Sequence, residues 1–334
     1  MLRWGVLSTA KIAVTKVIPA LQASADLEVR AVASRRLADA ERVAGDLAIP
    51  RAYGSYAALL ADDDIDAVYI PLPNHLHAAW VHQSAAAGKH VLCEKPLALT
   101  AAEARAMVAA CAQAGVLLME AFMYRLHPLW VRAVELVRDG AIGEPVAVHT
   151  WFSYCNDDPA NIRNQVAAGG GALYDIGCYA VNLARLLFDD EPDRVAAHID
   201  RDGADGVDVL TSGLLGFPGG RHATFTVGTR AYGDQWVQVQ GTEGVLGLPV
   251  PFNIDPTRAS QLTLASGPGL PGAGTPQVLT CPPADPYTVQ GEAFAAAVRD
   301  GHAPPIPTAD AVATLEVIEA LRAAGGLPPA PAGA

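Results

Sequence analysis

Through the first 120 residues, short apolar runs alternate with longer stretches whose apolar positions fall three and four apart. The short runs are "RWGVL" (3–7), "LEVRAVAS" (27–34), "DAVYIPL" (66–72), "HVLCE" (90–94) and "VLLME" (116–120). They read as strands buried on both faces. Between them, Leu37, Ala40, Ala44 and Leu47 line one face of a helix. "HAAWVHQSAAAG" ends at Gly88 and "AAEARAMVAACAQAG" at Gly115, and glycine suits the left-handed residue that closes a helix. Thr100 and Glu103 form the pattern of a capping box ahead of the latter. The alternation predicts a parallel sheet with helices on both faces.

After about residue 122 the period changes. One helix, "PLWVRAVELVRDG", precedes strand-like runs at 144–154, 194–200, 207–217, 221–230 and 235–248. "FPGGR" (217–221) and "GTEG" (241–244) read as hairpin turns between them. The Pro/Gly-rich "SGPGLPGAGTP" (266–276) reads as a loop, Thr308 as the cap of the last helix, and 325–334 as a loose tail. The expected organisation is an α/β protein in three parts: a Rossmann-type dinucleotide-binding domain over 1–121, an α/β domain with a large, mostly antiparallel open sheet over 122–324, and the tail.

Composition narrows the function classes. At 334 residues, 51% of them hydrophobic, the chain can fill two cores. A net charge of −12 argues against a nucleic-acid surface. Cys93, Cys111, Cys155, Cys178 and Cys281 form no C-x-x-C pair and no metal-finger spacing, which fits reduced thiols in a cytoplasmic protein. The start, "MLRWGVLSTAKIAV", reads as a strand entering a helix rather than a signal peptide, and no run is apolar enough to span a membrane.

The candidate chemistry collects at strand ends. Ser8, Ala10 and Ala13 occupy the glycine positions of G-x-G-x-x-G after the first strand, where a helix N-terminus can take a pyrophosphate. Taken alone, the motif fits a tight strand–helix turn equally well. The second strand ends Ala33-Ser34-Arg35-Arg36, with no carboxylate for a ribose 2′-hydroxyl. Arg35 as a clamp and Ser34 as a donor suit a 2′-phosphate instead. NADP is therefore the expected cofactor, with NAD the alternative. "PLPNHLH" (71–77) brings Pro73, Asn74 and His77 to the third strand's end, bordering ribose and nicotinamide. His75 and His77 have no carboxylate near them in sequence, so no metal is expected.

Two further stretches carry the reaction. In "GKHVLCEKPLALT" (88–100), Pro96 restricts Lys95 to extended backbone angles at a strand's carboxyl end, where such sheets bind ligands. In "GGGALYDIGCYAVNLARLLFD" (169–189), Ile176, Ala180, Leu183 and Leu187 mark a buried helix, with Asp175 and Tyr179 at i and i+4 on one face. By themselves those two are a helix-surface pair. With Lys95 they become a proton-transfer group. Hydride reduction of a ketone leaves an alkoxide that needs a proton, and a phenol titrating near ~10 can work in both directions beside an ammonium.

"GKHVLCEKP" and "GGGALYDIGCY" together resemble the glucose–fructose oxidoreductase/inositol dehydrogenase (Gfo/Idh/MocA) family. "RWGVLSTAKIA", "AYGSYAALLADDDIDAVYIPLPNHLHAAW" and "EAFMYRLHP" point to its dimeric dihydrodiol dehydrogenase and NADP-dependent D-xylose dehydrogenase branch. The resemblance implies a Rossmann domain followed by an α/β domain whose open sheet forms a homodimer or homotetramer interface. It implies Lys95, Asp175 and Tyr179 as catalytic residues, and many relatives carry histidine at the Tyr179 position. The cofactor residues it implies are Ser8, Thr9, Ala10, Lys11, Ile12, Ser34, Arg35, Pro71, Pro73, Asn74, His77, Glu94 and Lys95. It also implies a cis bond at Lys95-Pro96.

Arg125, His127 and Arg163 are expected to face the substrate, the arginines alternatively pairing ions between domains, and Cys178 to pack. Two function classes stand at this point. One is an NADP(H)-dependent oxidoreductase acting on a CH–OH or carbonyl group of a sugar, sugar derivative or cyclic diol. The other is a non-enzymatic nucleotide-sensing protein of the same fold, which would have no need of a proton-transfer group.

Overall fold

The computed structural model describes residues 1–203, 206–267 and 276–330. The chain forms two compact units: Met1–Met123 with Asp285–Val312, and Tyr124–Ala284 with the last helix from Ala313 onward.

In the first unit, β1 (Leu2–Leu7), β2 (Leu27–Ala33), β3 (Arg51–Tyr53), β4 (Ala67–Ile70), β5 (His90–Cys93) and β6 (Leu118–Glu120) form one sheet. Its order is β3-β2-β1-β4-β5-β6, with every pair parallel. This is the doubly wound order of a dinucleotide-binding fold, with its switch point between β1 and β4. A helix begins at Lys11, passes through a π turn at Ala13–Val17 and continues as α1 (Ile18–Gln22). The other crossovers carry α2 (Leu37–Asp46), α3 (Tyr56–Leu60), α4 (His77–Ala86) and α5 (Ala101–Ala114). The capping box at Thr100 and Glu103 is formed, and Gly115 closes α5 at φ 69°. Gly5 on β1 has a local reason: a Cβ there would lie 2.5 Å from the Leu59 side chain of α3.

β3 and α3 were not legible in the sequence. Three strand residues and a five-residue helix are too short to show a period.

In the second unit, α6 (Pro128–Arg138), β7 (Pro145–Cys155) and α7 (Cys178–Phe188) precede β8 (Arg194–Arg201), β9 (Asp208–Gly216), β10 (His222–Gly228), β11 (Arg230–Gly241), β12 (Gly244–Leu248), β13 (Ser260–Ser266) and β14 (Gln277–Cys281). The sheet order is β14-β13-β12-β11-β7-β10-β9-β8, antiparallel except for β7 beside β10. β13 and β14 flank the stretch read as a loop at 266–276, most of which lies outside the described residues, as does the end of the expected tail (331–334).

The boundary expected at 121/122 leaves 285–324 wholly in the second domain. In the structure, α8 (Pro286–Asp300) and the start of α9 (Thr308–Ala324) belong to the first unit. The physical reason is apolar. Phe294 packs against Trp4, ring centroids 5.3 Å apart, both fully buried, while Gly291 meets Leu21 and Leu27. Thr288 Oγ1 also donates to the Ala20 carbonyl at 2.9 Å.

Candidate active site

Every cofactor residue expected from the sequence follows the carboxyl end of a strand of the parallel sheet. Ser8 follows β1, Ser34 and Arg35 follow β2, Pro71, Pro73 and Asn74 follow β4, and Glu94 and Lys95 follow β5. Parallel strands place all of these ends at one edge, where such sheets bind ligands.

At the β1 turn, Ser8 has φ 157° and its Oγ accepts the Ala10 N–H at 3.0 Å. Thr9, Ala10 and Ile12 are half-buried and Lys11 is exposed. At the end of β2 the two arginines separate. Arg36 is paired with Asp39 at 2.6 Å, whereas exposed Arg35 has no ion-pair partner among the described residues. Ser34 is buried, and its Oγ faces the Arg36 N–H at 3.4 Å. Tyr56, the first residue of α3, joins these two strand ends. Burial raises its phenol pKa, while Arg35 and a hydrogen bond with Ser8 pull it down. Tyr56 was not singled out in the sequence, because a helix of five residues is too short to show a period. These groups fit a nucleotide carrying a 2′-phosphate: an extended serine turn ahead of a helix N-terminus, and an uncommitted cation where a ribose-binding carboxylate would otherwise stand.

The lysine stretch is held tightly. Lys95-Pro96 is cis. Glu94 accepts the Tyr69 hydroxyl on Oε1 at 2.7 Å and faces the Lys95 N–H with Oε2 at 3.3 Å. Burial and the Glu94 charge push the Tyr69 phenol well up. Tyr287, in the first turn of α8, is pushed up by burial and Glu94, with Lys95 opposing. Sequence reasoning missed Tyr287, which lies far along the chain.

His77 departs from its expected place at ribose and nicotinamide. It is fully buried, with Nε2 2.8 Å from the Leu72 carbonyl oxygen and Nδ1 3.0 Å from that of Pro96. Burial lowers its pKa, against the pull of the Leu72, Pro96 and Leu97 carbonyls. Its ring nitrogens serve the main chain of two strand-end loops.

In the second unit, Asp175 lies in a π turn (Leu173–Gly177) that runs into α7, where Tyr179 stands. The simple i, i+4 stacking of an unbroken α-helix therefore does not apply, because a π turn winds more residues per turn. Asp208 holds the start of this turn, its Oδ2 accepting the Leu173 N–H at 2.6 Å. Gly171, at φ 116°, stands so close to Asp208 that any side chain would overlap its carboxylate. Asp175 Oδ2 accepts the Tyr154 hydroxyl at 2.6 Å and pairs with Arg163 Nε at 3.0 Å. Arg163, expected at substrate or between domains, is thus an ion-pair partner of Asp175 within its own unit.

Tyr179 is 6% exposed. Its ring is bounded by Phe252 at 5.0 Å and by Tyr124 and Phe152 at 5.7 Å each. Phe252 is held from outside: Gln235 Oε1 accepts the N–H groups of Phe252 and Asn253 at 2.9 and 3.0 Å, and Trp130 Nε1 donates to the Pro251 carbonyl at 2.6 Å. Tyr124 donates to Asn182 Oδ1, one turn along α7 from Tyr179, at 2.6 Å. No spacing in the sequence tied these neighbours to Tyr179. Isolated aromatics on different elements show no spacing.

Two other expected positions are placed. His127 caps α6: Nδ1 accepts the Leu129 N–H at 3.1 Å and Nε2 faces the Ala284 carbonyl oxygen at 3.2 Å. Both nitrogens of this buried ring thus face main chain, unlike the substrate contact expected of it. Arg125 lies half-buried in the short helix Met123–Leu126, and Cys178 is buried, its Sγ 3.7 Å from the Asp175 carbonyl oxygen. Among the described residues no group of His, Cys, Asp and Glu could hold a metal ion.

A doubly wound nucleotide-binding sheet joined to a unit carrying a caged phenol and a paired carboxylate defines a two-unit, dinucleotide-dependent oxidoreductase. Comparison with known proteins gives the particular family. Residues 2–122 match the oxidoreductase family with NAD-binding Rossmann fold, and residues 130–247 match the GFO/IDH/MocA C-terminal domain. The chain belongs to the Gfo/Idh/MocA family. It is 46% identical over 319 residues to D-xylose 1-dehydrogenase (NADP(+)) 2 of Haloferax volcanii, covering 95% of each chain. It is 37% identical over 247 residues to mouse trans-1,2-dihydrobenzene-1,2-diol dehydrogenase, covering 74% of this chain and 72% of that one. Among solved structures it resembles the 3-ketoreductase KijD10 of Actinomadura kijaniata in complex with NADP and TDP-benzene, with TM-score 0.89, 32% identity and 97% of each chain covered.

Proposed function

We propose that this protein is an NADP(H)-dependent oxidoreductase acting on a secondary alcohol or carbonyl of a sugar, sugar derivative or cyclic diol. Lys95, Asp175 and Tyr179 are its catalytic residues. One observation carries the reading. Two structures of KijD10 bear a lysine-to-alanine and a tyrosine-to-phenylalanine substitution at positions 84 apart, and Lys95 and Tyr179 stand at that same separation here.

NADPH, when bound, supplies the hydride. Ser8 to Ile12 hold its pyrophosphate, Ser34 and Arg35 its 2′-phosphate, and Pro71, Pro73, Asn74 and Glu94 line its ribose and nicotinamide. Tyr179 gives its hydroxyl proton to the developing alkoxide, and the Lys95 ammonium favours the phenolate that results. The aromatic neighbours keep water from the phenol ring and limit its motion. Asp175, fixed by Tyr154 and Arg163, orients the substrate, and Arg125 contributes to its binding.

The second unit's open sheet supports assembly as a homodimer or homotetramer. Trp236 and Leu214 are 38% and 44% exposed on it, beside a groove of about 510 Å³ lined by His149, Trp151 and His198. Five free cysteines fit a cytoplasmic setting, and among the described residues no helix is long and apolar enough to cross a membrane.

The test is cofactor turnover across a panel of aldoses, ketosugars, cyclic diols and dicarbonyls, with NADPH or NADP⁺ and with their NAD counterparts. Turnover of at least one sugar or diol, faster with the phosphorylated cofactor, is expected. Tight NADPH binding without turnover of any panel member would favour the nucleotide-sensing alternative.

A further inference from the structure

On three consecutive residues, Lys95 to Leu97, one main-chain group each is met by a side chain from a different element. The Lys95 N–H faces Glu94 Oε2 at 3.3 Å, at the end of β5. The Pro96 carbonyl faces His77 Nδ1 at 3.0 Å, from the first turn of α4. The Leu97 N–H donates to Glu120 Oε1 at 2.7 Å, from the last residue of β6. Glu120 is 2% exposed and His77 fully buried. A carboxylate at such burial is costly unless it is hydrogen-bonded. An apolar residue here would complete the core at less cost, but it could not hold the Leu97 amide. "EAFMYRLHP" opens on this glutamate, and neither the nucleotide contacts nor the proton-transfer group uses it.

We infer that Glu120 is a positioning residue for Lys95, holding the main chain two residues beyond it so that the ammonium keeps its place at the end of β5. The inference rests on the catalytic role given to Lys95. Its geometric basis is the short hydrogen bond, 2.7 Å, from the Leu97 N–H to a buried carboxyl oxygen. His77 and Glu94 supply the other two restraints, so removal of Glu120 loosens the segment at one end and leaves the strand before it paired. A displacement of about 1 Å in a reacting group can lower a rate by ~10²-fold.

The experiment compares Glu120→Ala, Glu120→Gln, Lys95→Ala and the Lys95→Ala/Glu120→Ala double variant as purified full-length proteins. Three quantities are read: steady-state kcat and KM on the substrate found by the panel, NADPH affinity, and hydrogen exchange of the Leu97 amide. Glu120→Ala is expected to lower kcat by ~10–100-fold with little change in NADPH affinity, and to speed exchange at Leu97. Glu120→Gln keeps a carbonyl oxygen for that amide and recovers most of both. The double variant is no slower than Lys95→Ala alone, because a residue acting only through Lys95 has nothing left to lose.

Full additivity in the double variant would overturn the inference, as would unchanged Leu97 exchange in Glu120→Ala. If Glu120→Ala does not fold, Glu120→Gln is read on exchange alone, and Leu97 protection lost despite the retained oxygen overturns it. If Lys95→Ala keeps normal turnover, the catalytic reading of Lys95 fails, and the positioning role fails with it even where exchange confirms the Glu120 contact.

Discussion

The two units build their parts of the proposed chemistry in opposite ways. In the first, the candidate residues follow directly on strands whose parallel order brings their ends to one edge, so local position in sequence fixes position in space. In the second, Tyr179 is bounded by rings from three separate stretches: the start of the unit, β7, and the segment after β12. The first arrangement is polar and mostly half-buried, with Lys11 and Arg35 exposed, and the second is buried and aromatic. Substitutions should therefore separate binding from stability in the first unit and couple function to stability in the second.

The largest expected effect belongs to Lys95, the proposed catalytic charge. Lys95→Ala should lower kcat by ~10²–10⁴-fold, the usual scale of general acid–base assistance. Lys95→Arg should not restore it, because a planar guanidinium fork does not replace a compact ammonium. A normal pre-steady-state hydride step in Lys95→Ala would remove the lysine from the chemistry.

Next comes Phe252, fully buried at the centre of the aromatic cluster. Phe252→Ala should cost about 3–5 kcal/mol in urea unfolding, as buried phenylalanines do. A loss below ~1 kcal/mol would mean that the cluster collapses around the gap, and that the rings about Tyr179 do not hold it in place.

Arg35 sharpens the contrast, being exposed and without an ion-pair partner among the described residues. Arg35→Ala should weaken NADPH by the ~1.5–3 kcal/mol typical of a charge-assisted contact, leave NADH unchanged and leave the unfolding midpoint where it was. Calorimetric titration of both cofactors reads the difference. Equal losses for the two would return the 2′-phosphate to another residue. Arg36→Ala should do little, since Arg36 is already paired with Asp39.

The smallest effect is in acid. Burial works to raise the Asp62 pKa, but hydrogen bonds from Arg51, the Asp64 N–H and Tyr53 outweigh it and hold the carboxyl to about 2. A folded-state pKa below the unfolded value stabilises the fold above the unfolded pKa, and that contribution is lost as pH falls toward 2. Asp62→Asn should therefore lose stability at neutral pH and show a shallower decline between ~pH 4 and 2. Parallel pH–stability curves would contradict this.

The same contrast explains what could be read from the chain. β1, β2, β4, β5 and β6 were legible because their apolar runs are continuous, and Ser8, Arg35 and Lys95 because they directly follow such runs. The caging of Tyr179 was not legible, since Tyr124, Phe152 and Phe252 meet only after the sheet forms. His77 and His127 were misread for one reason. A histidine beside a strand end or ahead of a proline looks reactive in sequence, and only the fold brings its nitrogens against main-chain groups. The π turn that carries Asp175 was hidden as well, because a hydrophobic repeat cannot tell the ~3.6 residues per turn of an α-helix from a slightly wider winding.

The most direct measurement is kcat for Tyr179→Phe beside its NADPH affinity, on whichever substrate the wild-type protein turns over. The variant keeps the ring and its three aromatic neighbours and removes only the hydroxyl. kcat should fall by ~10²–10⁴-fold with NADPH bound as tightly as before. Near-normal turnover with cofactor still bound would contradict it and pass the proton to water or to a group other than buried His77.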